Sequence, residues 1–432
     1  MNFEYFTPTK VVFGKGTESK VGELIREQGG HKVLIHYGGG SVVRSGLLDK
    51  VCESLKNAGL PFVTLGGVVP NPRLSKVREG IQLCRGENVD FLLAVGGGSV
   101  IDSTKAILYG LANEGDVWDL YDYKRQPTAC APIGAVLTIA AAGSEMSDSS
   151  VITNEDGWIK RGYSSNYCRC RFAVMDPELT STLPDYQTQS GCVDIMMHTM
   201  ERYFHRDGGM ELTDGIAVAL IRTVMKNAKI LKENPSDYDA RAEVMWASSL
   251  SHNGLTGCGT DGGDWASHQI EHELGGMFDV AHGAGLAAVW GSWARYVYQE
   301  CPERFASFAR EVFGLSESNV DGQTAASPAA GGAGAKMAPL PVAEDGSVKT
   351  SAEDTGTDSA IDFLALAGIE AMEDFYRSVG MPTSLKELGI APTEEQILEM
   401  ADKCSIHGHR TVGVIKKLDA EDVAQIYRMA RE

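Results

Sequence analysis

One aspartate and four histidines in this chain have the spacing of a divalent-metal centre. Asp194 precedes His198 by four residues, His268 precedes His272 by four, and His282 follows ten residues later. A four-residue step stacks side chains on one helix face, so Asp194 and His198 can grip one ion together. Three neutral imidazoles and a carboxylate make a four-ligand site that needs no thiolate. Met196, Met197, Met200 and Tyr203 give the same helix an apolar side. A charged Asp194 there is costly unless paired, and a cation pairs it. The chemistry is metal-assisted, and spacing alone leaves open which histidines bind and whether the work is hydrolysis or redox.

Two glycine-rich loops narrow the choice. Gly96-Gly97-Gly98-Ser99 follows the apolar run Phe91–Val95 and precedes a segment of helical character, Val100–Ala106. Glycine lets backbone N–H groups approach an anion, and a helix amino terminus adds a favourable dipole, which suits a pyrophosphate. The spacing is not that of the common dinucleotide fingerprint. The second loop, Tyr37-Gly38-Gly39-Gly40-Ser41, ends an earlier strand where an acidic residue commonly holds the adenosine ribose. Here that place offers amides and a hydroxyl with Arg44 nearby, so an extra ribose phosphate is welcome and NADP is favoured over NAD. Two rivals stand beside this reading. His268-Gln269-Ile270-Glu271-His272 matches the H-x-x-E-H pattern of zinc peptidases, in which Glu271 would activate water. A catalytically inert metal- or nucleotide-binding module is the other.

The elements that must position these residues follow from patterning. From Lys32 to about Leu183, short apolar runs ending in glycine alternate with amphipathic segments, the pattern of a parallel sheet covered by helices. Val33–Ile35, Phe62–Leu65 and Phe91–Val95 read as strands ending at Gly38, Gly66 and Gly96. Leu47–Ala58 and Leu74–Cys84 read as crossover helices, the second with Asn71-Pro72 as its start signal. Beyond Pro184 strand signals thin out, and Cys192–Phe204, Gly215–Leu231 and Ala240–Leu250 read as helices. The expectation is an α/β domain with a parallel sheet over residues 1–183, then an all-α helical domain over 184–432. Residues 316–357 are rich in Ala, Gly, Ser, Pro, Asp and Thr without an aromatic, too little apolar surface to offset ordering, and read as a mobile surface insertion.

Composition excludes several classes. A length of 432 residues favours two domains over one core. No apolar run approaches the roughly 20 residues of a membrane-spanning helix, and residues 1–16 lack a signal-peptide pattern and read as a strand or hairpin. The formal net charge of −19 disfavours nucleic acid and anionic lipid as partners. Nine cysteines, an odd number and unpaired in spacing, point to free thiols in a cytoplasmic protein.

With these residues in hand, the sequence resembles the iron-containing alcohol dehydrogenase family, in particular its NADPH-dependent butanol dehydrogenase and aldehyde reductase branch. The likeness rests on Phe6-Thr7-Pro8-Thr9, Phe13-Gly14, Val69-Pro70-Asn71-Pro72, Gly96 to Lys105, Gly143-Ser144-Glu145, Asp176-Pro177 before Leu183-Pro184, Asp264-Trp265-Ala266-Ser267-His268 through Glu273-Leu274, and Ala281-His282-Gly283. The resemblance implies an amino-terminal α/β dinucleotide-binding domain, a carboxy-terminal helical domain and a metal in the cleft between them. It also implies hydride transfer between NADP(H) and a small primary alcohol or aldehyde, with Fe²⁺ or Zn²⁺ held by Asp194, His198, His268 and His282. It makes His272 a non-ligand near the nicotinamide and the candidate catalytic residue. Gly38, Gly39 and Ser41 would lie by the ribose phosphate, and Gly97, Gly98 and Ser99 by the pyrophosphate. Asn71, Asp102, Thr138, Ser147 and Lys160 would complete the cofactor cleft. Ala142 departs from the family's frequent Thr before Gly-Ser-Glu, which removes a hydroxyl contact to the cofactor. Relatives that oxidise glycerol usually lack a match to His198 and relatives that cyclise sugar acids need basic residues around the metal; the presence of His198 argues against both. A homodimer or higher homo-oligomer is expected from the same resemblance, with the amino-terminal strands as a contact.

Overall fold

The computed structural model describes residues 2–206, 209–316 and 355–432. Its amino-terminal domain is built on a parallel sheet of six strands. They are β1 (Lys10–Phe13), β2 (Val33–Gly38), β3 (Phe62–Val68), β4 (Phe91–Gly96), β5 (Ile133–Leu137) and β8 (Phe172–Met175), in the spatial order β1-β8-β5-β4-β2-β3. The strands β6 (Ser149–Asn154) and β7 (Ile159–Ser164) form a separate antiparallel hairpin. The helices of this domain are α1 (Val21–Glu27), α2 (Ser41–Arg44), α3 (Leu47–Asn57), α4 (Leu74–Glu87), α5 (Gly98–Ala112) and α6 (Trp118–Tyr121).

The central strands β4 and β5 are buried along their whole length, as strands covered on both faces must be. Side chains alternate between the faces. Val33, Ile35, Phe91, Leu93, Val95, Phe172 and Val174 pack with Leu24, Ile25, Leu47, Val51 and Leu55 on one side. Leu34, Leu92, Ala94, Leu137 and Met175 face the other, where one core runs on without a break through Ile107 of α5 into Val193, Met196 and Met200 of the helical remainder. That shared core fixes the two halves against each other.

The remainder consists of α7 (Asp185–Tyr203), α8 (Glu211–Glu233), α9 (Tyr238–His252), α10 (Ala266–Phe278), α11 (His282–Val297), α12 (Pro302–Phe313), α13 (Thr355–Ser378), α14 (Glu394–Cys404) and α15 (Ala420–Ala430). Among its described residues the only extended pairing is the isolated bridge between Val412 and Leu418. Helix α7 is buried almost all round because α8, α9 and α11 pack on it. No described helix is long and apolar enough to cross a membrane.

Of the two readings of the amino terminus, strand or hairpin, the structure has the strand: β1 pairs in parallel with β8, some 160 residues away. Two expectations need correction. Strand β3 does not stop at Gly66 but continues to Val68, with the Tyr37 ring lying where a side chain at position 66 would sit. Asn71 does not cap α4, whose N-cap is Arg73; Asn71 takes a left-handed φ of 52° and donates to Asp279. The expected insertion at 316–357 lies for the most part outside the described residues, and its last three positions open α13. All nine cysteines are free thiols.

Candidate active site

The chain runs from β2 outward to β3, then crosses back to place β4 on the other side of β2. This reversal opens a crevice at the carboxyl ends of β2 and β4, where open α/β sheets bind ligands. Both glycine loops lie there. Gly38 ends β2, Gly40 has φ 118°, and Ser41 starts α2. Gly97 is the N-cap of α5, with Gly98 and Ser99 in its first turn. A Cβ on Gly97 would stand 3.0 Å from Ile139, and one on Gly98 3.2 Å from Ala142, so a side chain at either position would crowd the loop. Thr138, just after β5, donates its N–H to Gly96 O at 3.0 Å.

Two of the expected cleft residues are drawn into an internal network. Asp102 accepts from Ser144 Oγ at 2.6 Å and from Val151 N at 3.0 Å. Ser147 meets Lys105, a completely buried lysine whose Nζ donates to the carbonyls of Ser144, Ser147 and Ser149 at 2.7 to 3.0 Å. Glu145 accepts from Ser249 Oγ of α9 at 2.5 Å. Gly143-Ser144-Glu145 is therefore a clasp between the sheet and the helical half.

The metal candidates converge on the far side of the crevice. Helix α7 supplies Asp194 and His198, α10 supplies His268 and His272, and His282 is the first residue of α11. Asp194, His268 and His282 place one ligand atom each within 4.8 Å of one another. Asp194 Oδ1 lies 3.8 Å from both His268 Nε2 and His282 Nε2. Asp194 Oδ1 and His268 Nε2 are buried and have no hydrogen-bond partner. Leaving two such groups unmet costs several kcal/mol, about 1–3 each, which a bound cation would remove. The donor set of imidazole and carboxylate suits a divalent first-row ion. His198 is not part of the converging trio; its Nδ1 lies 2.9 Å from the Asp194 carbonyl oxygen and 3.0 Å from Oδ1.

Two carboxylates orient the imidazoles from behind; sequence reasoning missed Glu201 and met Glu271 only within the peptidase pattern. Glu201 Oε1 accepts from His268 Nδ1 at 2.8 Å, which turns Nε2 toward Asp194. Glu271 Oε2 accepts from His282 Nδ1 and, at 3.2 Å, from Lys160 Nζ. Such partners fix the tautomer and raise ligand basicity. Glu201 was findable, since positions 194, 198 and 201 share a helix face.

The field of the site is set by these neighbours. Burial alone would raise the Asp194 carboxyl, but His198, His282 and His268 outweigh it and hold it well below the usual carboxylate range. Burial opposes charge on His268, yet the Asp194 carboxylate facing Nε2 and the Glu201 carboxylate on Nδ1 push it up to about 9. Burial, helped by Lys160, His282 and His268, keeps His272 well below the ordinary histidine value and hence neutral. His272 groups instead with Glu271 and His282, its ring 5.9 Å from that of His282. The peptidase reading finds no support: among the described residues His268 and His272 do not share a ligand group, and Glu271 is engaged by Lys160 and His282.

Comparisons with known proteins agree with this architecture. The model described as iron-containing alcohol dehydrogenase matches residues 8–177. The model for the Fe-containing alcohol dehydrogenase family, C-terminal, matches residues 188–332. The chain is 37% identical over 429 residues to NADH-dependent butanol dehydrogenase A of Clostridium acetobutylicum, covering 99% of each. It is 32% identical over 434 residues to the NADPH-dependent aldehyde reductase YqhD of Escherichia coli, covering 100% of each. Among solved structures, NADH-dependent butanol dehydrogenase A from Thermotoga maritima superposes with a TM-score of 0.86 at 39% identity, over 100% of this chain and 99% of that one. A parallel sheet with glycine loops at its switch point, a histidine and carboxylate centre facing it and these end-to-end likenesses lead to one assignment: the chain belongs to the iron-containing alcohol dehydrogenase family.

Proposed function

We propose that the protein reduces small aldehydes to primary alcohols, and runs the reverse oxidation, with NADP(H) and one divalent metal, Fe²⁺ or Zn²⁺. The observation that carries this reading is the buried convergence of Asp194, His268 and His282 opposite the two glycine loops. Names among the relatives support the substrate class, since they include butanol dehydrogenases and an aldehyde reductase. Those relatives divide between NADH and NADPH. The preference for NADPH rests on this chain's own Gly38-Gly39-Gly40-Ser41, which carries no carboxylate to repel a ribose phosphate. A domain division between residues 183 and 184 is supported by the two family matches, which end and begin on either side of it.

In this reading Asp194, His268 and His282 hold the cation, with His198 as the fourth ligand. A bound cation supplies Lewis-acid polarisation of a carbonyl oxygen, and a bound NADPH supplies the hydride. The protein's part is placement. The amides of Gly97, Gly98 and Ser99 at the start of α5 take the pyrophosphate, aided by the helix dipole. Glu201 and Glu271 hold the imidazoles of His268 and His282 so that their Nε2 atoms face Asp194. His272 stays neutral, and a neutral ring that both accepts and donates relays a proton between the product oxygen and water.

The test is oxidation of NADPH and of NADH over a series of straight-chain aldehydes, repeated after metal stripping and after restoring Fe²⁺ or Zn²⁺. Metal-dependent turnover with NADPH ahead of NADH is expected. Preference for NADH would overturn the reading of Gly38–Ser41, and turnover that ignores the metal would overturn the site.

A further inference from the structure

Glu271 is completely buried and touches a residue of each of two sites, His282 of the cation site and Lys160 of the expected cofactor cleft. Its Oε2 accepts from His282 Nδ1 on one side and from Lys160 Nζ, at 3.2 Å, on the other. His282 turns its remaining nitrogen toward Asp194, at 3.8 Å. Lys160 belongs to β7 of the amino-terminal domain and is itself buried. The space around the carboxylate is built to size. A Cβ on Gly285 would stand 2.9 Å from Glu271 Cγ and 3.0 Å from Oε1. A Cβ on Gly275 would stand 2.8 Å from Lys160 Nζ and 3.2 Å from Glu271 Oε1. Two helix glycines thus leave room for one carboxylate and one ammonium, and for nothing larger.

A buried carboxylate needs a compensating charge, and the Lys160 ammonium provides one. The donation from His282 is additional. It fixes the imidazole with Nδ1 protonated and Nε2 free, the tautomer a metal ligand requires. We propose that Glu271 is a positioning residue shared by the cation site and the dinucleotide site: it aims His282 Nε2 at Asp194 and holds the Lys160 ammonium in the cofactor cleft, so one carboxylate sets the geometry of both. The inference rests on the reading that these sites take a divalent cation and NADPH.

Two equilibrium constants test it on the full chain, without turnover. Zn²⁺ affinity is measured on metal-stripped protein by competition with a chromophoric chelator, and NADPH affinity by fluorescence. Glu271→Gln keeps the size and can still set one amide oxygen against both donors, but it removes the negative charge that faces the Lys160 ammonium and the His282 Nδ1–H. It is expected to weaken Zn²⁺ by about 10–100-fold and NADPH by about fivefold or more, with an unchanged far-UV spectrum. Asp194→Ala serves as the contrast, losing Zn²⁺ while NADPH binding stays within twofold, roughly 0.4 kcal/mol. Weakening of only one ligand in Glu271→Gln, or of neither, overturns the proposal. Should that variant fail to fold, Glu271→Asp keeps the charge but is too short to reach both partners. Wild-type constants for both ligands in Glu271→Asp overturn the proposal as well. Failure of the functional reading shows elsewhere, as a wild-type chain that binds no Zn²⁺ or no NADPH.

Discussion

Replacing Gly283 with alanine should cost the protein its metal, for a reason visible in the packing of two helices. Gly283 is the second residue of α11, directly after His282, and it lies against Ser190 of α7. A Cβ there would overlap the Ser190 carbonyl oxygen, with the carbonyl carbon at 2.8 Å and Oγ at 2.9 Å. Carbon atoms in ordinary contact sit about 3.5–4.0 Å apart, so the helices must part by about 1 Å. The backbone atoms of Ser190 cannot rotate away. His282 and Asp194 ride on the same two helices and face each other at 3.8 Å, whereas metal ligands tolerate errors of only about 0.2 Å. Overpacking of this kind costs about 1–3 kcal/mol, and regaining the metal-competent geometry draws on the binding energy, a loss of roughly 5–150-fold in affinity. The assay is chelator competition with Zn²⁺ on metal-stripped protein, with Gly39→Ala as control, since a Cβ at Gly39 meets nothing within 4 Å. Wild-type Zn²⁺ affinity in Gly283→Ala would refute the packing argument.

The metal site, its neighbour His272 and the first glycine loop each carry a further prediction. Because His268 keeps its proton up to about 9 without metal, the cation must displace it. Apparent Zn²⁺ affinity should rise about tenfold per pH unit between pH 7 and 9 and flatten above, and a flat response from pH 7 to 8 would contradict the assignment. The sign for folding is the reverse: a histidine raised above its unfolded value of about 6.5 stabilises the metal-free fold fully below that pH, and the contribution fades as pH rises through 9. His272→Ala should retain metal while kcat falls about 10²–10⁴-fold, and unchanged turnover would remove His272 from the proton path. Gly39→Asp fits sterically but sets a carboxylate where the ribose phosphate is expected, so the NADPH dissociation constant should rise about tenfold or more while NADH binding holds; equal loss for both cofactors would argue against that placement.

Local patterns carried much of this architecture. Val33–Gly38 and Phe91–Gly96 are legible as strands because strands covered on both faces must be continuously apolar. The partner of β1 was not legible, because a pairing across 160 residues leaves no mark in either segment. The hairpin β6–β7 did leave one: Asp156-Gly157 between two strand-like runs is a turn signal. Gly66 misled because its strand continues under the ring of Tyr37, a packing fact invisible in local sequence. At the site, the four-residue steps announced Asp194 and His198 and also His268 and His272, but spacing cannot say that His268 turns to Asp194 while His272 turns away. That depends on Glu201 of α7 holding His268, whereas His272, one turn on, groups with Glu271 and His282. Glu271 drew notice only as part of a peptidase motif, and its real partners, His282 and Lys160, become visible only once the fold brings β7 against α10.

The most direct test of the account is elemental analysis of protein purified without oxygen, wild type beside Asp194→Ala, with aldehyde-dependent NADPH oxidation measured on the same samples. One equivalent of iron or zinc and turnover in the wild type, with both lost in Asp194→Ala, is the predicted result. Full activity in metal-free Asp194→Ala protein would contradict it.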